Sequence, residues 1–399
     1  MLESEIVIIG GGIAGASTAY HLAQYGHEVT LLERGPIAGE ASGLNAGNIG
    51  ATGWGNQLNL NAHLTMGSLE IFRTLHLDMD YDIEFRQCGG LQAIQTEEQY
   101  DFARDRVLRQ RSLGHDQELL TTREARGIEP GLDPALLGLV HTPLRAQADP
   151  EKATRAMASA AQEIGASILT QHDVTNVEQL GDGTYRVLAD RDEYRAATLV
   201  IAAGAWCRQL GEMLGLSIPI IPVRGQMWAT EPLPPLVFHT ISGTESSLHW
   251  DNNPGGGLET PRDLTHQGEL RVTRHLYGRQ NRMGEIIFGG DRQLAGYQQV
   301  PDATGIEDNR GHAAEILPML NTLPIRRTWA GLMPFSLDGE PVIGKIPQRD
   351  NLFILTGLCS SGFGRGPMAG KLLSDYIHTG DRPLVLAEAD PARCITAME

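Results

Sequence analysis

A glycine pattern near the start of the chain, G-x-G-x-x-G at residues 10–15, constrains the fold more than any other feature of the sequence. The apolar run Glu5–Ile9 precedes it and predicts a buried parallel strand. Small and apolar residues at helical spacing follow over 14–26, and a second strand is predicted over 28–32. Strand, glycine turn, helix and strand in this order predict a Rossmann-type β-α-β unit.

Each residue type in this unit has a physical reason. Gly10 permits a tight turn, Gly12 lets the backbone approach a pyrophosphate, and Gly15 lets the helix pack closely on the strand. Glu33 ends the second strand roughly 20 residues further on, where a carboxylate accepts hydrogen bonds from ribose hydroxyls and repels a 2′-phosphate. The unit therefore predicts FAD or NAD rather than NADP, and it does not distinguish between the first two. A glycine-rich turn without a ligand is the alternative interpretation.

Length and charge limit the class of protein. The 399 residues exceed one ordinary core and predict two domains. The formal net charge of −17 argues against nucleic acid as a partner. The sequence lacks a long apolar run, and Met1 leads directly into the first strand, so we expect no membrane span, no signal peptide and a cytoplasmic location. The four cysteines are scattered and the histidines lack ligand spacing, so we expect free thiols and no metal site.

Strand–turn–helix patterns recur in separated segments and predict an interleaved architecture. "AATLVIAAGAW" is typical of a buried strand with a small-residue turn, and "NLFILTGLCSSGFGRGPMAGKLLSDYI" of strand, glycine-rich turn and helix. The predicted nucleotide-binding domain comprises residues 1–50, 145–215 and 325–385. A mainly antiparallel α+β substrate domain comprises residues 51–144 and 216–324, and residues 386–399 form a C-terminal extension. The predicted fold class is thus α/β, a Rossmann-type domain interleaved with a second domain.

Five motifs in order resemble the D-amino-acid oxidase superfamily of FAD enzymes. They are Glu33-Arg34 with "GPIAGEASGLNAGNIG", "LVIAAGAWC", "IPVRGQM", "FSLDGEPVIG" and "NLFILTGLCSSGFGRGPMAG", and they lie within residues 6–377. The resemblance implies FAD, an FAD-binding Rossmann domain, and removal of hydride from the carbon next to an amine, either a secondary amine or a D-amino acid. It implies an imine product and transfer of the electrons to oxygen or another carrier. Covalent relatives carry Cys near position 333, where this chain has Met333, so noncovalent FAD is expected.

The resemblance also carries over a set of cofactor contacts, position by position. The predicted FAD-binding residues are Gly10, Gly12, Ile13, Ala14, Gly15, Glu33, Arg34, Ala41, Ser42, Asn45, Ala46, Gly47, Val174, Ala203, Gly204, Trp206, Asp338, Gly362, Phe363 and Gly364. The glycines at 10–15 face the pyrophosphate, and Glu33 and Arg34 face the ribose and the adenine edge. The last turn and Asp338 are expected near the flavin and its ribityl chain.

The substrate-binding positions depart from the family pattern. Met333 occupies the place where many relatives carry an arginine that binds the substrate carboxylate. Ser361 and Gly364 occupy the places of a histidine and a lysine found in sarcosine-oxidase-like relatives. Another cation must then bind a carboxylate, and the candidates are Arg279, Arg292 and Arg365, with His275, Tyr277 and His249 as neutral donors.

Strict strand alternation puts His275, Tyr277 and Arg279 on one face, so Tyr277 and Arg279 are preferred. A solvated, arginine-rich sheet edge is the alternative. The predicted catalytic residues are Tyr277, Arg279, Met333 and Ser361. Asn48, Trp54 and His63 are further candidates to cover the pocket.

Other functions stay open at this level. Met333 favours a tailoring oxidase of a larger amine without a free carboxylate. A flavoprotein subunit of a multi-chain amino-acid or opine dehydrogenase is a third reading, and an NAD-only dehydrogenase is the last. The scarcity of lysine, with none in the 216–300 sheet, favours a dehydrogenase modestly over an oxidase. The exact substrate, the electron acceptor, and a partner subunit or homo-oligomer are not determined by the sequence.

Overall fold

The computed structural model describes residues 1–52, 60–190, 192–245, 247–248, 266–267, 270–271 and 275–398. Its strands are β1 (Leu2–Ile9), β2 (Val29–Glu33), β3 (Asn48–Ile49), β4 (Gly90–Ile94), β5 (Glu118–Leu120), β6 (Gly138–Thr142), β7 (Ala146–Gln147), β8 (Ser167–Thr170), β9 (Val174–Gln179), β10 (Tyr185–Ala189), β11 (Asp192–Ile201), β12 (Leu216–Ser217), β13 (Ile220–Thr230), β14 (Thr240–Gly243), β15 (His266–Gln267), β16 (Leu270–Arg271), β17 (Tyr277–Gln280), β18 (Ile286–Gln293), β19 (Ile325–Ser336), β20 (Val342–Lys345), β21 (Leu352–Thr356) and β22 (Thr396–Ala397). Its helices are α1 (Ile13–Gln24), α2 (Leu60–Leu77), α3 (Glu97–Ser112), α4 (Thr122–Ile128), α5 (Pro150–Glu163), α6 (Cys207–Met213), α7 (Ala303–Ile316) and α8 (Gly362–Thr379). Short 3-10 turns lie at Gly204–Trp206, Pro318–Asn321, Cys359–Ser361, Leu384–Ala389 and Pro391–Arg393.

The first sheet has a parallel centre, as the glycine unit predicts. Strand β1 lies between β2 and β11, β2 pairs with β8, and β11 pairs with β21, all in parallel. Strands β20, β9 and β10 extend this sheet in antiparallel pairings. Ile6–Ile9 are buried because helices and loops cover both faces of a parallel sheet. The Rossmann-type architecture is confirmed.

The second sheet has the order β19-β13-β18-β17-β14-β4-β6-β5, and only its β14–β4 pairing is parallel. It confirms the mainly antiparallel second layer of the predicted fold. Strand Ile325–Ser336 falls in a segment predicted for the first domain, yet it pairs along the length of Ile220–Thr230 in the second sheet. The second sheet therefore extends to residue 336, beyond the predicted boundary at 325.

Helices α1 and α8 pack against each other at glycines. A Cβ at Gly370 would lie 2.7 Å from Ser17 Cβ, and one at Gly366 would lie 2.7 Å from Ile13 Cγ2. The Ser17 hydroxyl donates to the Pro367 carbonyl at 2.7 Å. Because neither glycine carries a side chain, the two helices approach closely and share a small-residue seam.

The C-terminal residues pack on the body of the protein instead of extending from it. Leu386, Ala389 and Ile395 are buried, and β22 pairs with β12. Arg393 Nε lies 2.7 Å from Asp338 Oδ2. The region predicted as an extension over 386–399 is thus an integral part of the fold up to residue 398.

The described residues contain neither a disulfide bond nor a candidate metal-binding cluster. Cys88, Cys207, Cys359 and Cys394 are all described, and none forms a disulfide. Over the described ranges, no group of three or more His, Cys, Asp or Glu side chains is arranged to hold a metal ion. No helix within those ranges combines the length and hydropathy that crossing a membrane requires.

Replacing a glycine by alanine should change the free energy of unfolding in opposite directions inside and outside the α1–α8 seam. Gly370→Ala introduces a methyl group into the α1–α8 contact, and we expect it to lower the free energy of unfolding by about 1–3 kcal/mol. Gly311→Ala, on α7, meets nothing within 4 Å. We expect Gly311→Ala to raise the free energy of unfolding by about 0.5–1 kcal/mol, because alanine loses less entropy in a helix. Urea denaturation of both variants measures this, and equal stabilities would contradict the packing argument.

Candidate active site

A long cavity takes its walls from both sheets. At one end it meets the carboxyl ends of β1 and β2, where open parallel sheets commonly bind ligands. At the other end it reaches β4, β14 and β18 of the second sheet. The N-termini of α1 and α8 border the middle. The cavity therefore joins a nucleotide-binding edge to an antiparallel sheet.

The first glycine turn has the close contacts that the sequence predicts. Gly10 has a φ of +116°, and a Cβ at Gly15 would lie 2.0 Å from the Gly10 carbonyl oxygen. Helix α1 follows with Gly12 as its N-cap, without a side-chain cap or an acidic residue in its first turn. The Ile13 N–H donates to Ser42 Oγ at 2.9 Å. This N-terminus faces the cavity and suits a pyrophosphate, because free N–H groups and the helix dipole attract anions.

The ribose end of the cavity is organised around Glu33. Its two carboxylate oxygens accept from the Gly11 N–H at 2.6 Å and the Gly35 N–H at 2.7 Å. Each oxygen retains a lone pair for a ribose hydroxyl. The Arg34 guanidinium lies 3.9 Å from the centroid of the Trp206 ring, and both side chains line the cavity. This end therefore has the acceptors and the flat surface that an adenosine requires.

The second helix N-terminus lies beyond the first. Ser361 precedes α8, which starts at Gly362 without a side-chain cap or an acid in its first turn. Arg365 adds a guanidinium whose Nη1 donates to Asn61 Oδ1 at 2.8 Å. Burial lowers the pKa of Arg365 to about 10. The helix dipole and this cation give the middle of the cavity a positive potential that stabilises negative charge.

Most of the predicted site residues line this cavity. Those that do are Gly10, Gly12, Ile13, Ala14, Glu33, Arg34, Ala41, Ser42, Asn45, Val174, Ala203, Gly204, Trp206, Tyr277, Met333, Ser361, Gly362, Phe363 and Gly364. Those that are not among the lining residues are Gly15, Ala46, Gly47, Arg279 and Asp338. Asn48 lines the cavity, His63 is exposed on α2, and Trp54 and His249 lie outside the described residues.

The structure corrects the choice of Arg279 as a substrate-binding residue. Its Nε donates to the Ala46 carbonyl, and the side chain is only 2% exposed. Its Nη2 lies 3.1 Å from where a Cβ of Gly47 would be. Strand alternation places Arg279 on the same face as Tyr277, as predicted. The loop at residues 45–47 covers that face at Arg279, however, so the guanidinium supports this loop instead of entering the cavity.

The structure also corrects the position of Asp338. One of its carboxylate oxygens pairs with Arg393, and the other accepts from the Glu340 N–H at 3.0 Å. Hydrogen bonds and the charge of Arg393 lower the pKa of Asp338 against the opposing effect of burial, which is the largest single cause. Asp338 thus connects the strand turn at residues 336–340 to the C-terminal segment and is not among the residues that line the cavity.

Arg292 lines the cavity because of a β-bulge. Met227 pairs with Gly289 and Gln226 pairs with Asp291, so Gly290 is an extra residue in β18. Gly290 has a φ of +121°, and a Cβ there would lie 2.7 Å from the His275 carbonyl oxygen. A bulge shifts the alternation of the residues that follow. Arg292, which unbroken alternation places with Phe288 on the core face, is therefore directed into the cavity.

Arg292 and Met333 are neighbours on either side of β13. Gly225 pairs with Arg292 in β18 and with Gly331 in β19. A Cβ on Gly225 would lie 2.9 Å from Met333 Cε, so the methionine lies over this glycine. Arg292 is thus carried two strands away from Met333, with only β13 between their strands.

The charges in the cavity are segregated. Its lining carboxylates, Glu33, Glu40 and Asp173, belong to the ribose end. The remaining part contains Arg145, Arg292 and Arg365, and no carboxylate lines it within the described part of the chain. Arg145, with Gln92 and Ser242, was not predicted from the sequence, because an arginine in a turn carries no local signal of a site. This half of the cavity is built for a ligand with negative charge.

The residues present fit FAD. Two uncapped helix N-termini suit its phosphates and the polar edge of its ring system, and Glu33 suits its ribose. A Cβ at Gly12 would lie 3.0 Å from Ser42 Oγ, so the backbone there is open to a close ligand only because position 12 is glycine. The residues that would hold FAD are therefore the glycine turn, Glu33, Ser42 and the turn that starts α8.

Comparison with known proteins agrees with this architecture. The family described as "DAO: FAD dependent oxidoreductase" matches residues 5–376. Mouse dimethylglycine dehydrogenase is 28% identical over 98% of this chain, although the chain spans only 44% of the length of that mitochondrial protein. Glycine oxidase of Bacillus licheniformis is 26% identical over 94% of this chain and 92% of its own length. Crystalline glycine oxidase from Geobacillus kaustophilus shares the fold, with a TM-score of 0.84 at 24% identity, and the match covers 98% of this chain and 99% of that one. The chain belongs to the DAO family of FAD-dependent oxidoreductases.

Proposed function

We propose that this chain oxidises the carbon–nitrogen bond of a small, carboxylate-bearing amine, either a secondary amine or an amino acid, to an imine. FAD, when bound, supplies the redox chemistry by accepting the hydride that leaves the carbon next to nitrogen. Hydride loss from the neutral amine leaves an iminium ion, which gives its N–H proton to water to form the imine. Water then hydrolyses the imine to a carbonyl compound and an amine, which is ammonia when the substrate is a primary amino acid. The names of two relatives, glycine oxidase and dimethylglycine dehydrogenase, support a glycine-like substrate.

The observation that carries the proposal is the buried guanidinium of Arg292 in the cavity. The side chain is 1% exposed, and its Nη2 lies 2.7 Å from His275 Nε2. Burial lowers the pKa of Arg292 to about 9, so the group stays cationic at neutral pH in a poorly solvated place. A desolvated guanidinium binds a carboxylate through charge-assisted hydrogen bonds. Arg292 therefore replaces the cation that Met333 does not provide.

Two neutral side chains lie in this part of the cavity: His275 contacts the cation, and the Tyr277 ring centroid is 6.0 Å from that of His275. Burial lowers the pKa of His275 to about 4 and raises the pKa of Tyr277 to about 12. The imidazole is therefore uncharged and accepts from Arg292, while the phenol keeps its proton and can donate it. These groups orient the substrate and add no competing charge.

The same environment disfavours an ammonium group. Three arginines border this half of the cavity, and burial removes water that would otherwise solvate a second cation. The substrate nitrogen is therefore bound as a neutral amine, with the lone pair that hydride loss requires. No side-chain base is needed for that step, and none of the described lining residues in this half is a carboxylate.

The position of Arg292 also bears on the alternative functions. Met333 favoured a tailoring oxidase of an amine without a carboxylate, because it stands where an arginine was expected to bind a carboxylate. Arg292 provides a buried cation near Met333, so the absence of an arginine at position 333 no longer favours that alternative. Oxygen and a separate electron carrier both stay open as acceptors, as do a partner subunit, a homo-oligomer and the cytoplasmic location.

Reciprocal substitution tests the role of Arg292. We expect Arg292→Met to raise the KM for a carboxylate-bearing amine roughly 100-fold, because a charge-assisted bidentate pair contributes about 3 kcal/mol. We expect the double variant Arg292→Met/Met333→Arg to recover part of this loss, since the guanidinium then enters the same space from β19. Stopped-flow reduction of the flavin in the absence of oxygen measures both effects.

A matched control is Arg73→Met, which removes a solvent-exposed guanidinium on α2 that pairs with Glu70 and does not line the cavity. It should leave KM unchanged. If Arg292→Met behaves like this control, Arg292 does not bind the substrate carboxylate.

The pKa directions predict a simple pH profile. His275 and Tyr277 keep their protons unchanged between about pH 5 and pH 9, since burial moves both pKa values outside that window. We expect kcat/KM to rise about tenfold per pH unit up to about pH 8, because the neutral amine becomes more abundant, and to level off within this range only for a substrate whose amine pKa lies in it. At higher pH we expect kcat/KM to fall, because burial lowers the pKa of Arg292 to about 9 and its guanidinium then loses charge. The break at which kcat/KM levels off should follow the amine pKa when the substrate is changed. A break near pH 6.5 shared by all substrates would contradict this assignment.

A further inference from the structure

The end of the cavity at strands β4 and β14 is polar and cationic, and the proposed reaction does not use it. Four lining side chains define this end, which we call the distal end: Gln92, Arg145, Ser242 and Ser247. Gln92 Nε2 donates to Ser247 Oγ at 3.1 Å and to the Gly243 carbonyl at 3.2 Å. Arg145 Nη1 donates to Ser242 Oγ at 3.4 Å. The hydroxyl hydrogens of both serines are therefore available to a ligand.

Space for the Arg145 side chain is created by a glycine. A Cβ at Gly90 would lie 2.2 Å from Arg145 Cδ and 2.6 Å from Thr240 Oγ1. The φ of Gly90 is not in the left-handed region, so its backbone conformation does not require glycine. Glycine is required there because the arginine stem passes over the strand. The position of this guanidinium is thus specified by the surrounding sequence.

Arg145 has no acidic partner within the described part of the chain. Within the described residues, the one hydrogen bond of its side chain is the long contact with Ser242. Burial lowers the pKa of Arg145 to about 10, and the nearest charges that act on it come from Arg106 and Cys88 rather than from a carboxylate. A half-buried cation without a counter-ion is costly unless a ligand supplies the negative charge.

The distal end is well separated from Arg292. Ser242 pairs with Tyr277, and Tyr277 pairs with Gly289, so Ser242 and β18 are two strands apart. With ordinary strand spacing and rise, the Cα atoms of Ser242 and Arg292 lie roughly 12–14 Å apart. The Arg145 guanidinium donates to Ser242 and so lies at the distal end, while Arg292 is carried by β18. Cations on different strands of the cavity wall suit two anionic groups of one molecule better than one carboxylate held by both.

We propose that the distal end binds a second acidic group of the substrate, so that the preferred substrates are amines with a carboxylate on each side of the nitrogen. The proposal rests on the proposed function for the reacting carbon and for the first carboxylate at Arg292. The second carboxylate pairs with Arg145 and accepts from Ser242. The arm that carries it spans the distance from the reacting nitrogen to the distal end.

A substrate pair that differs by one carboxylate tests the proposal in the holoenzyme. Sarcosine has one carboxylate, iminodiacetate has two, and N-(2-carboxyethyl)glycine has two with a longer arm. We expect both dicarboxylates to have a higher kcat/KM than sarcosine in anaerobic flavin reduction. We expect Arg145→Gln to lower the ratio of dicarboxylate to sarcosine kcat/KM roughly 10- to 100-fold, the range for loss of a charged hydrogen-bonded pair.

Two further variants separate binding from misfolding. Gly90→Ala keeps the charge but displaces the arginine stem, so the ratio should fall in the same direction. Arg145→Lys keeps the charge without the planar fork, and its effect should be smaller than that of Arg145→Gln. Arg73→Gln is the surface control and should leave the ratio at the wild-type value.

The outcomes distinguish this proposal from the proposed function. One outcome is that sarcosine and both dicarboxylates have equal kcat/KM and that Arg145→Gln changes none of these values. This outcome would overturn the distal subsite but would leave the proposed amine oxidation intact. If no amine reduces the flavin, the proposed function fails, and the subsite is then judged by iminodiacetate binding, followed through the flavin spectrum. Binding that weakens in Arg145→Gln supports the subsite, and binding that is unchanged overturns it.

Discussion

The contact of helix α1 with strand β1 at Gly15 is the constraint on which the rest of the site depends. A side chain there would collide with the Gly10 carbonyl, so only glycine lets the helix begin where it does. Helix α1 in turn holds α8 through the seam at Ser17 and Gly370. One backbone contact therefore positions two helix N-termini along the same cavity. The anion-binding character of the site follows from packing before any charged side chain is considered.

The sequence predicts what is decided locally. The glycine unit is found with its strands and helix shifted by a few residues, because the turn geometry is specified by adjacent residues. Helix α3 was not predicted, since its many charged residues obscure a narrow buried stripe that includes Ala103 and Val107. Helix α7 has only a few buried apolar residues and was missed for the same reason.

What the sequence does not predict depends on pairing between distant strands. The bulge at Gly290 exists only relative to β13, so periodicity within β18 alone places Arg292 on the wrong face. Arg279 has the predicted orientation, but the loop at residues 45–47 that covers it comes from another part of the chain. Arg145 depends on space left by Gly90, a relation between two residues far apart in the sequence. The sequence therefore indicated which residues are candidates better than it indicated where their side chains are directed.

The bulge in β18 affects how substrate specificity can be inferred from the sequence of such an enzyme. Strands β18 and β19 flank β13 at Gly225, so Arg292 and Met333, which are far apart in the sequence, line the same cavity. Under the function proposed above, a methionine at position 333 is therefore compatible with a substrate that carries a carboxylate. Sites of this kind are therefore better compared by where charges lie in the cavity than by which residue numbers carry them.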